Sequence, residues 1–387
     1  MWSRSDRGGG SLLESEAPEF HFAKVEETMS AASVEVNQVR AALDQLKDPE
    51  TGRSVVEMEQ VRDIRVAGDH LHVVLGLTTH SAPLWDETIE EARTHLRNAF
   101  PSLRQVDVER VVHVRPPQKI GEIGLTAKSV ILVGSGKGGV GKSTVATALA
   151  YGLQRAGAQV GLMDADVYGP SVPQLVGVEG RPEVHEGRIQ PIQKDGLRVM
   201  SMGFLIPPGE AVVWRGPMLH GAITQFLRDT AWGELDYLVI DMPPGTGDIA
   251  LTLSQLLPLT GAVVVCTPQR VALLDAIKAI AMFRKVHIPL LGMVENMSGF
   301  ICPDCHKRYD IFGRGGAQEA ARELDVPFLG DIPLNMVIRS QGDAGAMRDV
   351  FEDENLRPYL QHLVAQLTRN LSAKAKADPP LPTLSVL

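Results

Sequence analysis

Residues 136–144 read Gly-Lys-Gly-Gly-Val-Gly-Lys-Ser-Thr. This stretch fits the pattern G-x-x-x-x-G-K-S/T, in which backbone N–H groups of a glycine-rich loop surround phosphate oxygens and the next helix adds the positive end of its dipole. The apolar run Val130–Val133 precedes it, and a helical pattern over Ser143–Leu153 follows it. Because the motif requires this strand–loop–helix context, we predict a nucleotide site rather than an unliganded glycine-rich turn.

The residue types in this loop have separate expected roles. Lys142 is placed to reach the β- and γ-phosphates, and the Ser143 hydroxyl is placed to ligate Mg²⁺. No segment of the form N/T-K-x-D, which would read guanine, occurs in the sequence, so we expect the nucleotide to be ATP. The loop residues predicted to bind it are Gly136, Gly138, Gly139, Val140, Gly141, Lys142, Ser143 and Thr144.

Acidic residues follow two other apolar runs. Asp241 ends the run Tyr237–Ile240, a position from which a carboxylate holds Mg²⁺. The segment 243–248 comes next and is predicted to sense the γ-phosphate. Asp164 and Asp166 follow a third run, and we expect one of them to position the attacking water and Asp164 to contribute to the Mg²⁺ site. The alternative for both is turn or cap chemistry at the end of a strand.

Short, fully apolar runs separated by helix-length segments are typical of parallel strands buried on both faces. We therefore predict an α/β fold, a P-loop NTPase with a mainly parallel sheet covered by helices on both faces, over residues 128–371. The runs are Val130–Val133, Val160–Met163, Tyr237–Ile240, Ala262–Cys266 and Leu290–Val294.

A smaller unit with the order α-β-β-α-β is predicted upstream. Its clearest strand is the strict alternation Leu71, Val73, Leu75, Leu77, which buries one face. The predicted boundaries are a disordered leader (1–30), the small α/β domain (34–115), a linker (116–127) and a disordered Pro-rich tail (372–387).

Composition restricts the function further. The 387 residues carry a net charge of −9, which disfavours sequence-independent nucleic-acid binding because that needs a basic face. No apolar run approaches the roughly 18 residues of a membrane span, and the start of the chain has no signal-peptide core. We expect a cytoplasmic protein that binds neither nucleic acid nor membrane.

The chain has three cysteines, and two of them form a Cys-x-x-Cys pair, Cys302 and Cys305. An iron–sulfur cluster or a zinc ion that is held only by cysteines needs four thiolates. The third cysteine, Cys266, ends an apolar run, and we expect it to be a small buried hydrophobic residue. A two-fold homodimer supplies two pairs, so we predict a metal centre shared by two copies. Cys302–His306 also spells the haem motif C-x-x-C-H, and a thioredoxin-like redox pair or a bridging zinc are further alternatives. Spacing alone does not separate zinc from an iron–sulfur cluster.

The loop 136–144 contains a second lysine, Lys137, and resembles the deviant Walker A loop of the MinD, ParA and nitrogenase iron protein class. The resemblance implies that Lys137 is catalytic and crosses a dimer interface to touch the nucleotide of the partner. It also implies a face-to-face homodimer closed by ATP. The alternative is a solvated loop lysine.

Further motifs resemble the Mrp/ApbC family of ATPases that carry and deliver iron–sulfur clusters, from about residue 34 to about residue 370. They are DVYGPSVP (166–173), WRGPM (214–218), DYLVIDMPPGTGD (236–248), ENMSGFICPDC (295–305) and LGDIPLN (329–335). The resemblance makes Asp166 the hydrolytic aspartate and places Asn296 to read adenine. It implies a [4Fe–4S] cluster that bridges two subunits, with iron–sulfur apoproteins and assembly scaffold proteins as partners.

The N-terminal unit is similar to the small domain shared with SufT- and PaaD-like proteins, but Ala82 stands where relatives often have cysteine. We therefore expect a docking module rather than a thiol site. Two other functions compete with cluster carriage. A ParA/MinD-like positioning ATPase would need a basic face or tail helix, and it leaves the cysteine pair unexplained. A zinc-bridged scaffold with a vestigial nucleotide site conflicts with the full set of Lys142, Ser143, Asp166 and Asp241.

Overall fold

A computed structural model describes residues 34–167, 169–205, 216–245, 247–302, 304–305 and 307–377. The predicted leader (1–30) and residues 378–387 of the predicted tail lie outside this part of the chain. So do Tyr168 of the DVYGPSVP motif, residues 214–215 of the WRGPM motif and Thr246 of the segment 243–248.

The small domain has the predicted α-β-β-α-β order. Strand β1 pairs with β2 antiparallel, and β2 pairs with β3 parallel. The alternating residues of β2 are 0–1% exposed, because their shared face packs against the two helices. The elements are α1 (Val36–Leu43), β1 (Val61–Ala67), β2 (His70–Leu77), a 3₁₀ turn (Thr79–Leu84), α2 (Trp85–Ala99) and β3 (Gln105–Val112).

The large domain is built on a ten-stranded sheet, and all five predicted apolar runs are strands in it. Its strands in chain order are β4 (Lys119–Ile120), β5 (Leu125–Gly134), β6 (Val160–Asp164), β9 (Ile192–Lys194), β10 (Leu197–Ser201), β11 (Leu235–Asp241), β12 (Gly261–Cys266), β13 (Leu290–Ile301), β14 (Arg308–Tyr309) and β15 (Phe328–Leu334), while β7 (Val184–His185) and β8 (Arg188–Ile189) form a separate ribbon. The order across the sheet is β14-β13-β12-β5-β11-β6-β10-β9, with β15 also paired to β13 and β4 to β5. The five central strands β6, β11, β5, β12 and β13 run parallel.

Helices cover both faces of this sheet. Ile131 and Val133 of β5 face one core with the helices that span 142–156 and 357–377. Val130 and Leu132 face the other core with the helices that span 216–229 and 270–285. Because both faces of these strands are buried in a core, their sequences are continuous apolar runs. The helices are α3 (Lys142–Ala156), α4 (Val172–Val176), α5 (Gly216–Asp229), α6 (Gly247–Leu256), α7 (Arg270–Lys285), α8 (Gly316–Glu323), α9 (Met336–Asp343) and α10 (Arg357–Ala377).

Two predicted boundaries differ from the structure. β4 and the start of β5 lie inside the predicted linker 116–127, because Leu125 and Ala127 are buried and β5 pairs with β4. Helix α10 extends through Ala377, beyond the predicted boundary at 371. Its last turn packs on the small domain so closely that a Cβ on Gly52 would lie 2.2 Å from the Ala375 carbonyl oxygen. Tertiary packing of this kind overrides the weak local signal of the tail.

The small domain docks on the amino ends of β5 and β11. Thr79 donates to Asp236 at 2.7 Å, and His80 stacks on Tyr237 with ring centroids 4.5 Å apart. Lys128 of β5 forms ion pairs with Glu50 at 3.1 Å and with Asp236 at 3.0 Å. The P-loop and Asp241 follow at the carboxyl ends of the same two strands, so the small domain lies at the edge of the sheet opposite the nucleotide loop.

Ala82 is only 7% exposed in this docking turn. A Cβ on Gly157, just after α3, would lie 3.9 Å from the Ala82 methyl group. Ala82 therefore lies beside the end of α3, and the role of the small domain as a docking module stays a prediction.

Candidate functional site

The loop 136–141 joins β5 to α3 at the carboxyl edge of the sheet. Gly139 and Gly141 both have a φ of +79°, a conformation that favours glycine. A Cβ on Gly136 would lie 2.0 Å from the Asp275 carbonyl oxygen, so this glycine lets α7 approach the loop. Helix α3 begins at Lys142 with no side-chain cap, which leaves its N-terminus available to an anion.

Lys142 is buried at the centre of the site. Its Nζ lies 2.5 Å from Asp241 Oδ1, 3.1 Å from Ser143 Oγ and 3.9 Å from Asp166 Oδ2. The structure therefore brings together four of the residues that the sequence assigned to the nucleotide and its metal ion.

Asp241 is fully buried, and its second carboxylate oxygen, Oδ2, has no hydrogen-bond partner among the described residues. Burial raises the pKa of this carboxyl group, and the Lys142 ammonium opposes that rise. This carboxylate oxygen is buried, lacks a hydrogen-bond partner among the described residues and lies near the Ser143 hydroxyl. Such an oxygen is a suitable ligand for a hard cation that prefers oxygen ligands, such as Mg²⁺. Within the described residues no group of three or more His, Cys, Asp or Glu side chains could hold a metal ion.

Asp164 organises the segment that follows β6. Its carboxylate accepts from the backbone N–H of Asp166 at 3.0 Å and of Val172 at 3.2 Å, and from the Ser201 hydroxyl at 3.0 Å. Burial, followed by the nearby Asp241 carboxylate, raises the pKa of Asp164 to about 7. The predicted role of Asp164 as a Mg²⁺ ligand stays a prediction.

Asp166 is 7% exposed and accepts from the Gly169 N–H at 3.2 Å. Its Oδ2 lies 3.9 Å from the Nζ of Lys142, the lysine that is predicted to reach the phosphates. Lys137 is half-buried, and its carbonyl accepts from Ser135 Oγ at 2.9 Å. The role of Lys137 across a dimer interface stays a prediction.

Asn296 lies on β13 and contacts the P-loop directly. Its Nδ2 donates to the Val140 carbonyl at 2.9 Å, and a Cβ on Gly141 would lie 2.1 Å from that Nδ2. A cleft of about 530 Å³ opens beside this contact. The cleft is lined by Gly141 and Thr144 of the loop region, by Asn296 and Met297, and by residues of α4 and α9. Asn296 therefore borders a space next to the loop, and its reading of adenine stays a prediction.

The cysteine pair lies in the turn between β13 and β14. Strand pairing of Ile301 with Arg308 closes this hairpin, and the Cys302 N–H donates to the Lys307 carbonyl at 3.0 Å. Cys302 is half-buried and Cys305 is exposed. Backbone N–H groups of Cys305 and Asp304 lower the pKa of the Cys302 thiol, because they stabilise the thiolate.

Cys266 is fully buried, with Sγ 3.8 Å from the Val294 carbonyl oxygen, and burial raises the pKa of its thiol to about 12. This confirms the expectation of a buried cysteine. We predict that iodoacetamide at pH 7–8 alkylates Cys302 of the cluster-free protein much faster than Cys266. Peptide mass spectrometry measures both rates, with urea-unfolded protein as the control in which the difference disappears. Equal rates in the folded protein would contradict this assignment.

Large apolar side chains are exposed on α7, which approaches the P-loop at Gly136, and directly after the cysteine hairpin. Val271 and Leu274, on the first turns of α7, are 66% and 52% exposed, and Ile311 and Phe312, after the hairpin, are 57% and 39% exposed. Monomeric proteins seldom expose several large apolar side chains close together, so this rim is a candidate interface.

Glu295 is a buried residue of this region that the sequence analysis did not single out. The available signal was a carboxylate at the end of the apolar run Leu290–Val294. A charge beside such a run indicates a specific partner, but sequence alone does not identify that partner.

The chain matches two families of known proteins. The family described as NUBPL iron-transfer P-loop NTPase matches residues 126–368, and a family described as iron–sulfur cluster assembly protein matches residues 37–109. Among the described residues, no helix combines the length and apolar character needed to cross a membrane.

Full-length relatives agree with these matches. An iron–sulfur cluster carrier protein of Deinococcus radiodurans is 47% identical over 348 residues, which cover 89% of this chain and 98% of that protein. One of Synechocystis sp. is 44% identical over 330 residues, covering 82% and 92%. An Archaeoglobus fulgidus nucleotide-binding protein, solved in complex with ADP, is 42% identical with a TM-score of 0.52, covering 58% of this chain and 88% of that one.

Proposed function

Because the chain belongs to the NUBPL iron-transfer P-loop NTPase family, we propose that it is an ATP-hydrolysing carrier that holds an iron–sulfur cluster between two copies of itself and passes it to apoproteins. The observation that carries the proposal is the position of Cys302 and Cys305. They lie in the turn that directly follows β13, the strand that carries Asn296, which contacts the nucleotide loop. One strand thus joins a nucleotide site to a thiol pair.

The nucleotide half of the proposal is ATP with Mg²⁺. The P-loop amides and the α3 N-terminus would bind phosphate oxygens, and Lys142 would turn from Asp241 to the β- and γ-phosphates. Ser143 and Asp241 would hold Mg²⁺, which neutralises phosphate charge when it is bound. The cleft beside Asn296 is large enough for the base and ribose and opens directly from the loop.

Hydrolysis requires mainly positioning and charge neutralisation. An ordinary aspartate has a pKa near 3.9 and is a weak base, so Asp166 would act by orienting the attacking water. Its distance from Lys142 supports this role, since a water between Asp166 and the γ-phosphate would lie beside the same lysine. Lys137 of a second copy would add positive charge from across the interface.

A homodimer would supply the cysteine ligands that a single chain lacks. One chain offers two exposed or half-exposed thiols, and an all-thiolate cluster needs four. The rim combines Val271 and Leu274 of α7, the helix that approaches the P-loop, with Ile311 and Phe312, which follow the hairpin. One closing face that buried this rim would bring two hairpins together. We therefore propose one [4Fe–4S] cluster bridging two subunits.

Zinc is the second candidate for the thiol pair, because a tetrahedral zinc also takes four cysteines. The family matches and the names of the relatives favour iron–sulfur cargo. Recipient apoproteins and assembly scaffold proteins are the expected partners of such a carrier.

Replacing Asp166 with asparagine is expected to slow ATP hydrolysis by roughly 10²-fold, because the amide positions water less well than the carboxylate. ATP affinity should change little, since Asp166 does not hold the nucleotide. Steady-state ATPase rates and nucleotide titrations measure the two effects separately. Lys142→Ala is the contrasting variant and should lose nucleotide binding itself. Wild-type turnover in Asp166→Asn would show that another residue positions the water.

A further inference from the structure

Glu295 is a carboxylate in the interior of the large domain, within the buried part of β13. It is 0% exposed and forms no ion pair with any of the residues that the structure describes. A buried charge of this kind is costly unless several hydrogen bonds stabilise it. Its partners therefore indicate what it does.

Three donors surround the Glu295 carboxylate. The Ser298 hydroxyl donates at 2.6 Å, the Gly315 N–H at 2.7 Å and the Ala317 N–H at 2.7 Å. Ser298 lies just before the cysteine hairpin, and Gly315 and Ala317 lie after it. One carboxylate thus joins the two ends of residues 298–317, here named the cysteine segment.

The carboxylate also replaces a missing helix cap. Helix α8 begins at Gly316, and its cap residue Gly315 has a φ of +82° and no side chain with which to accept a hydrogen bond. The Glu295 carboxylate accepts from the first turn instead, where a negative charge also interacts favourably with the helix dipole. The end of the cysteine segment is therefore fixed by Glu295.

A second contact holds the middle of the segment. The Arg308 guanidinium donates to the Ser298 carbonyl at 2.7 Å and to Asp331 Oδ2 on β15 at 3.2 Å. Gly299 makes room for it, since a Cβ there would lie 2.6 Å from Arg308 Nε. The hairpin is thus tied to the sheet independently of any metal.

We propose that Glu295 is a positioning residue that fixes the cysteine segment so that Cys302 and Cys305 are presented as a preformed pair. The proposal rests on the proposed function of cluster carriage. Asn296, the next residue, holds the P-loop through Val140, and neighbouring residues of a strand point to opposite faces. Two consecutive residues therefore hold the nucleotide loop and the cysteine segment to the same strand.

Glu295→Gln tests the role with little change in shape. A glutamine amide offers one acceptor oxygen and places an NH₂ group against an N–H donor, so at least one of the three hydrogen bonds is lost. Amide hydrogen exchange within residues 298–317 of the cluster-free, ADP-bound protein should accelerate by about tenfold or more. Glu319→Gln, on the exposed face of α8, is the matched control and should leave exchange unchanged.

The second readout is the half-life of a reconstituted cluster against an iron chelator. It should shorten several-fold in Glu295→Gln while ADP affinity stays at the wild-type value, a separation that general loss of structure would not give. Ser298→Ala removes one donor only, and it should shift both readouts in the same direction by less. It replaces Glu295→Gln if that variant does not fold.

Wild-type exchange in residues 298–317 of Glu295→Gln would overturn the proposal. Faster exchange with an unchanged cluster half-life would also overturn it, because the segment would then be fixed for another reason. A wild-type protein that takes up no cluster would instead refute the proposed function, and the exchange measurement would still decide whether Glu295 holds the segment.

Discussion

Replacing Lys137 with alanine is expected to slow ATP hydrolysis by roughly 10³- to 10⁵-fold, the range over which cations supplied in trans accelerate phosphoryl transfer. The affinity for ATP should change much less, because Lys142 and the loop amides of the same chain bind the phosphates. ATPase rates at saturating ATP, together with nucleotide titrations, separate the two effects.

Mixed dimers provide the control for this prediction. Lys137→Ala subunits can bind ATP but lack the crossing lysine, and Lys142→Ala subunits lack a nucleotide site but retain Lys137. Equimolar mixing should restore part of the activity, because one composite site would then contain both lysines. Wild-type ATPase activity in Lys137→Ala alone would exclude a role for this lysine across the interface.

Replacing Cys302 or Cys305 with alanine is expected to abolish stable cluster binding. Each change leaves one hairpin thiolate per chain and two per dimer, too few for an all-thiolate cluster with four ligands. Iron and sulfide content after anaerobic reconstitution measures the loss. ATP binding should persist in both variants, since the hairpin shares no ligand residue with the P-loop.

Cys266→Ala is the matched control, because it removes a fully buried cysteine at the end of β12. This variant should keep its cluster at a modest cost in packing. Undiminished iron in Cys302→Ala would refute the ligand assignment.

The central sheet and the P-loop were predicted well from the sequence, because local sequence patterns are enough to identify both. Strands such as Val130–Val133 are apolar on both faces and are followed by turn residues, so pattern alone locates them. The loop motif itself encodes its conformation, since Gly139 and Gly141 adopt the positive φ values that favour glycine. These features need no knowledge of the rest of the fold.

Contacts between side chains that are far apart in the sequence were harder to predict. Asn296 was chosen by resemblance as a reader of adenine, but its contact with Val140 joins residues 156 positions apart. Glu295 acts as the cap of a helix 20 residues later, whose own cap position is a glycine. Such contacts depend on how strands and helices are arranged in space, which local pattern does not report.

The ends of the large domain illustrate the same limit. The last turn of α10 packs against Gly52 of the small domain, and Lys374 donates to the Thr260 carbonyl at 3.0 Å. The sequence of this turn, rich in alanine and lysine, is compatible with either helix or disorder. The contacts with Gly52 of the small domain and Thr260 of the large domain favour the helix.

The central claim is that two hairpins share one iron–sulfur cluster at a homodimer interface. Anaerobic reconstitution of the full chain, followed by iron, sulfide and zinc analysis per dimer and by Mössbauer spectroscopy, tests it most directly. The account predicts about four irons and four sulfides per dimer, with the spectrum of one [4Fe–4S] cluster. Stoichiometric zinc in protein purified without oxygen, with no uptake of iron, would contradict it.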